Sequence, residues 1–147
     1  MIYCIRILLL MLSINAVLAQ QPVVQWSFDL QDNAFGNPCA ADIDNDGKKE
    51  VVFSTYRNDG YIYALNSEDG SLLWKYNIGD CSDAAPIIYD LDKDGDLEVL
   101  VNSSCVPYMY CFNGKDGELE WQVQTRSTDS PPSVAEIYKD EVPMIFD

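Results

Sequence analysis

"DIDNDGKKEVV" (residues 42–52) and "DLDKDGDLEVL" (residues 90–100) share one frame: acid, apolar, acid, any residue, acid, glycine, two residues, glutamate, then an apolar run. The two copies start 48 residues apart. The shared frame places four carboxylates in nine residues, and the second copy adds a fifth at Asp96, directly before a stretch that reads as a buried strand. Self-similarity at a fixed period is the signature of a repeat architecture, and it extends well beyond the acid frame. Trp26, Trp74 and Trp121 are spaced by 48 and 47 residues. "GYIYALNSEDGSLLWKY" (60–76) realigns on "PYMYCFNGKDGELEWQV" (107–123), so that Asn66-x-x-Asp69-Gly70 and Asn113-x-x-Asp116-Gly117 fall in register. A third copy begins near Pro131, where only Glu136 and Asp140 survive from the acid frame, and no metal is expected there.

Each unit reads as four short strands. In the second unit they are expected at Ala85–Tyr89, Glu98–Asn102, Tyr108–Phe112 and Leu119–Gln124, because β-branched and aromatic runs alternate there with Gly, Asp and Asn turns. "NSEDGS" and "NGKDGE" are hairpin turns whose Asp-Gly pairs supply positive φ. No convincing helical apolar period occurs after residue 20. Four antiparallel strands per 40–50 residues describe a propeller blade. The chain is therefore expected to be all-β, an incomplete β-propeller of two to three blades. A blade-closing strand is placed at about 22–31, blade one at about 36–78, blade two at about 83–125 and the start of blade three at about 130–147. Trp26, Trp74 and Trp121 head the fourth strand of successive units and are expected in the core between blades rather than stacked on a ligand. A closed propeller needs about four to eight blades. The chain is accordingly read as an N-terminal part of a longer protein, with assembly of several short chains as the weaker alternative.

The acid frame resembles the calcium loop of FG-GAP/VCBS-type repeats, as in integrin α-chain propellers. The "YIYALNSEDGSLLW" stretch resembles the blade repeat of pyrroloquinoline-quinone-type propellers. The resemblance covers residues 22–125 well and 126–147 weakly, and it implies a calcium ion tying the first strand of a blade to the second. The residue chemistry agrees with that implication. Calcium takes six to eight hard oxygen ligands, and alternating acids in a tight loop aim their oxygens at one point. The first expected ligand set is Asp42, Asp44, Asp46, the backbone carbonyl of Lys48, and Glu50. The second is Asp90, Asp92, Asp94, the carbonyl of Asp96, and Glu98. Glutamate at the ninth position departs from the family's more usual aspartate and lengthens the reach by one methylene. An EF-hand would require a glutamate at position 12, where this chain has Phe53 and Val101, both in expected strands. Two Ca2+ sites are expected, with magnesium disfavoured by its reluctance to dehydrate.

Residues 1–19 read as a cleaved signal peptide: a short basic start, an apolar run, and small residues before Gln20. The run is short for a membrane span, so no membrane insertion is expected after cleavage. Localisation is expected to be secreted, extracellular or periplasmic. A formal net charge of −15 excludes affinity for nucleic acid or anionic membrane, which rests on Lys and Arg. In an oxidising compartment cysteines pair. A meander brings the loop holding Cys81 next to the loop holding Cys105, which favours that disulfide over free thiols or another pairing. Cys39 and Cys111 fall within strands and read as buried thiols. Histidine is absent, no nucleophile motif or phosphate loop appears, and the acids sit in the expected metal loops. The leading expectation is a non-catalytic calcium-binding module with an unidentified protein or glycan ligand. The alternative is part of a secreted propeller enzyme, a polysaccharide lyase or a quinone-dependent dehydrogenase.

Overall fold

The computed structural model describes residues 22–30, 33–79, 81–136 and 143–146. The expected signal peptide and Asp140 lie outside these residues. The described residues form ten strands: β1 (Cys39–Ala41), β2 (Glu50–Ser54), β3 (Tyr61–Asn66), β4 (Leu72–Asn77), β5 (Ile87–Tyr89), β6 (Glu98–Asn102), β7 (Tyr108–Asn113), β8 (Leu119–Gln124), β9 (Ser133–Ala135) and β10 (Met144–Phe146). They form two four-stranded antiparallel meanders, β1-β2-β3-β4 and β5-β6-β7-β8, and one antiparallel pair, β9-β10. These are the two blades of the sequence repeat and a piece of a third, and the described residues contain no helix.

Period-two alternation sorts each strand's side chains onto the two faces of its blade. From blade one, Val52, Ile62, Ala64 and Trp74 meet Val99, Val101, Tyr110 and Phe112 of blade two in one core cluster. The next residues along β6 and β7, Leu100, Met109 and Cys111, face the other way and pack with Trp121, Val134 and Ile145. Blade two is thus covered on both faces, and β6 is buried along its whole length. Both blades carry a register shift at the same place, Ala64/Leu65 and Cys111/Phe112, opposite the tryptophan of the fourth strand.

Residues 22–30 hold no strand, contrary to the expected blade-closing strand at 22–31. A strand exists only as part of a ladder, and no described segment pairs with this one. It nevertheless lies against blade one as β4 lies against blade two. Trp26 Nε1 donates to the Ser67 carbonyl at 2.7 Å, and Trp74 Nε1 donates to the Gly114 carbonyl at 2.6 Å. Phe28 meets Tyr63 edge-on at 5.6 Å between centroids, much as Tyr76 meets Phe112 at 4.8 Å. The glycines of the two Asp-Gly turns lie directly under these indoles. A Cβ on Gly70 would sit 2.7 Å from the Trp26 ring, and one on Gly117 2.6 Å from the Trp74 ring. Of the three tryptophans only Trp74 is buried, while Trp26 and Trp121 are half-buried.

Candidate metal centre

Each acid loop is the hairpin connection between the first two strands of its blade. The first spans β1 to β2 and the second β5 to β6, with Glu50 and Glu98 as the opening residues of β2 and β6. The two loops are folded by the same four hydrogen bonds. In the first, Gly47 N–H donates to Asp42 Oδ2 at 3.0 Å and Asp46 N–H to Asp44 Oδ1 at 3.1 Å. Lys48 N–H donates to Asp46 Oδ1 at 2.8 Å, and Ile43 N–H to Glu50 Oε2 at 2.9 Å. In the second, Gly95 N–H donates to Asp90 Oδ2 at 3.2 Å and Asp94 N–H to Asp92 Oδ1 at 3.2 Å. Asp96 N–H donates to Asp94 Oδ1 at 2.8 Å, and Leu91 N–H to Glu98 Oε2 at 2.6 Å. Each acid therefore spends one oxygen on shaping the loop, and Asp42, Glu50 and Asp90 keep the other buried.

Glutamate at the ninth position has a physical reason. Its extra methylene lets it reach back from the strand to the N–H at the second position, closing the loop from below. That second residue, Ile43 or Leu91, is buried and anchors the loop in a core cluster. The fourth and sixth positions take left-handed backbone: Asn45 at φ 62° and Gly47 at 88°, Lys93 at 64° and Gly95 at 98°. Glycine adopts this region without penalty and asparagine does so readily, whereas lysine is unusual there. Lys48 and Asp96 sit between the glycine and the strand, and their N–H groups are turned toward the loop acids.

Ligand oxygens of Asp42, Asp44 and Glu50 lie within 4.8 Å of one another, as do those of Asp90, Asp92 and Asp94. The two triads differ. In the first loop Asp46 stands outside, with Oδ2 at 3.7 Å from Lys48 Nζ. In the second loop Glu98 stands outside. It lines a cavity of about 350 Å³ with Leu91, Asp92, Glu120, Trp121 and Ile145. Asp42 Oδ1, Glu50 Oε1 and Asp90 Oδ1 are buried without a hydrogen-bond partner. Buried charged oxygens left unpaired are costly, and a cation between them removes that cost.

The electrostatics agree. Burial raises the Glu50 carboxyl above the usual carboxylate range. The bond from Ile43 N–H opposes this, and the charges of Asp44, Asp46 and Asp42 add to it. Burial likewise pushes Glu98 up to about 7, opposed by Leu91 N–H and reinforced by Glu120, Asp92 and Asp90. Glu50 is fully buried and Glu98 is 4 % exposed. Carboxylates in such surroundings ionise easily only when positive charge arrives. The donors are all hard oxygens, which suit calcium or magnesium and not zinc or copper. The residues present thus fit a hard divalent cation.

At the other end of the blades Cys81 and Cys105 form a disulfide with Cα atoms 5.9 Å apart. It joins the loop before β5 to the loop after β6, the pairing expected from the meander. The Cys81 carbonyl also accepts Ser104 N–H at 3.0 Å and Ser103 Oγ–H at 3.2 Å. Cys111 is a buried free thiol, and Cys39 is only half-buried, with burial pushing it up to about 11.

Residues 42–101 match the FG-GAP-like repeat, a stretch that contains both acid loops. This part of the chain is thus similar to the FG-GAP-like repeat, and its meanders are folded as blades of a β-propeller. Among solved structures, the chain is similar to BamB from Moraxella catarrhalis at 21 % identity and a TM-score of 0.57, over 76 % of this chain and 31 % of that one. It is also similar to the V. cholerae biofilm matrix protein Bap1 at 27 % identity and a TM-score of 0.65, over 84 % of this chain and 25 % of that one. The chain therefore spans between a quarter and a third of these proteins. No curated protein matches it.

Proposed function

We propose that this chain is a secreted, calcium-binding, non-catalytic propeller segment that serves as a scaffold or binding module for a protein or glycan. The observation that carries the calcium reading is the set of buried, unpartnered carboxylate oxygens at Asp42, Glu50 and Asp90, in loops folded by one hydrogen-bond scheme. Calcium is favoured over magnesium because the loops offer many protein oxygens and little need for retained water. Asp42, Asp44 and Glu50 would hold the first ion, and Asp90, Asp92 and Asp94 the second. Asp46 and Glu98 are close enough in sequence to join by side-chain rotation. The ion would clamp the first strand of each blade to the second.

Secretion is supported by the Cys81–Cys105 disulfide, since such bonds persist in oxidising compartments, and by the likeness to a biofilm matrix protein. A non-catalytic role is supported by the use of the clustered acids as loop-forming groups, each already committed to a backbone N–H. The test is calcium titration by isothermal calorimetry against magnesium. Two calcium ions per chain are expected, with dissociation constants in the range of about 10⁻⁴–10⁻³ M typical of extracellular modules. Asp42→Asn with Asp90→Asn should abolish binding. Absence of binding to the wild-type chain at 10-fold higher calcium would refute the reading.

A further inference from the structure

The fourth position of the acid frame has no role in the ligand set, yet in both loops it is held in left-handed backbone and its side chain leaves the loop. Asn45 Nδ2 donates to Asp96 Oδ1 at 2.8 Å, crossing from the first loop to the second. Lys93, its counterpart one repeat later, places Nζ 3.1 Å from Glu136 Oε1, and Tyr89 O–H donates to the same oxygen at 3.2 Å. Glu136 is the surviving first acid of the third copy of the frame. Two successive loops thus extend the same residue position forward onto the acid loop of the following blade.

From this arrangement we infer that Asn45 is a positioning residue for the second cation site and couples the two sites. The inference rests on the calcium reading above. Asn45 lies between Asp44 and Asp46, so filling the first site fixes its backbone. Its amide then holds the side chain of Asp96. Asp96 N–H is bonded to Asp94 Oδ1, and Asp94 belongs to the second triad. The path from one triad to the other is four residues long, and every link is a hydrogen bond or a peptide bond. A hydrogen bond of this kind carries an effect of about two- to ten-fold on affinity. Because coupling between two ligands is reciprocal, each site must strengthen the other by the same factor. Where the third copy has lost its acids, the lysine at this position answers the remaining carboxylate itself.

The test measures calcium affinity at the second site in two backgrounds, with the first site intact and with it silenced by Asp42→Asn and Asp44→Asn. The ratio is the coupling factor, expected at about two- to ten-fold. Asn45→Gly keeps the left-handed backbone and removes only the amide, so the factor should fall to one. Asn45→Lys, which copies the residue found at position 93, should retain it. The melting temperature of Asn45→Gly in chelator should fall only by the cost of one exposed hydrogen bond. An unchanged factor in Asn45→Gly overturns the inference, as does a larger fall in melting temperature with both sites weakened alike. Two calcium ions bound by the wild-type chain with a factor of one overturns the coupling alone. No calcium bound overturns both the coupling and the calcium reading.

Discussion

Gly117 offers a measurement of the contact between blades that does not depend on metal. Its φ is +71°, and a Cβ there would lie 2.6–2.9 Å from three atoms of the Trp74 indole. Gly79 has the same φ of +71° with nothing within 4 Å of a Cβ. The pair separates backbone strain from packing. Alanine at either position meets the left-handed penalty of about 1–2 kcal/mol. At Gly117 the indole must also move, although its Nε1 is tied to the Gly114 carbonyl, and overpacking of this kind adds about 1–3 kcal/mol. Gly79→Ala is therefore expected to destabilise by about 1–2 kcal/mol and Gly117→Ala by about 2–5 kcal/mol. At about 3 °C per kcal/mol for a chain of this size, the difference in melting temperature is about 3–9 °C. The assay is thermal and urea denaturation in chelator. In a Trp74→Ala background the excess at Gly117 should vanish, giving a coupling of about 1–3 kcal/mol. Equal costs at the two glycines would refute the claim that the indole rests on this turn.

Two further outcomes follow from the acid loops and the disulfide. With calcium removed, Glu98 holds its proton up to about pH 7 when folded, against 4.5 when unfolded, so it favours the folded state below pH 4.5 and that contribution is lost as pH rises through 7. The decline is about 3 kcal/mol at about 1.4 kcal/mol per pH unit, and urea melts at pH 5 and pH 8 should show a larger loss in wild type than in Glu98→Gln, where Glu50 alone of the two remains. Calcium favours the carboxylate, so its stabilising effect should grow over the same window. Removing the Cys81–Cys105 bond by a double serine substitution frees a loop of 24 residues and should cost about 3 kcal/mol in chemical denaturation; a loss under 1 kcal/mol would contradict a structural role.

The repeat, the blade strands and the cysteine pairing were legible because they depend on local chemistry and on spacing. Acids alternating around a glycine, Asp-Gly turns and period-two strands announce themselves in one dimension. The parts that were not legible are contacts between units. Nothing in "DIDNDG" shows that Asn45 bonds to Asp96, although an asparagine ahead of Asp-Gly is a signal for left-handed backbone. Lys93 at the equivalent position carries no such signal. The indole over the Asp-Gly turn was also hidden, because the glycine already had a sufficient local reason to be there. Residues 22–30 show the same limit: Trp26, Phe28 and Leu30 match the pattern of Trp74, Tyr76 and Ile78, but a ladder needs a neighbour that periodicity does not provide.

The indole contacts and the fourth-position contacts between units run in one direction along the chain. Trp26 rests on the turn of blade one and Trp74 on that of blade two, while Asn45 and Lys93 reach forward to the loops that follow. Each unit therefore carries the donor half of one joint and the acceptor half of another. Duplicating a unit in the gene would add a matched pair of halves and leave every existing joint intact. A change in the number of blades is then a small genetic step, whereas a reversal of their order is not.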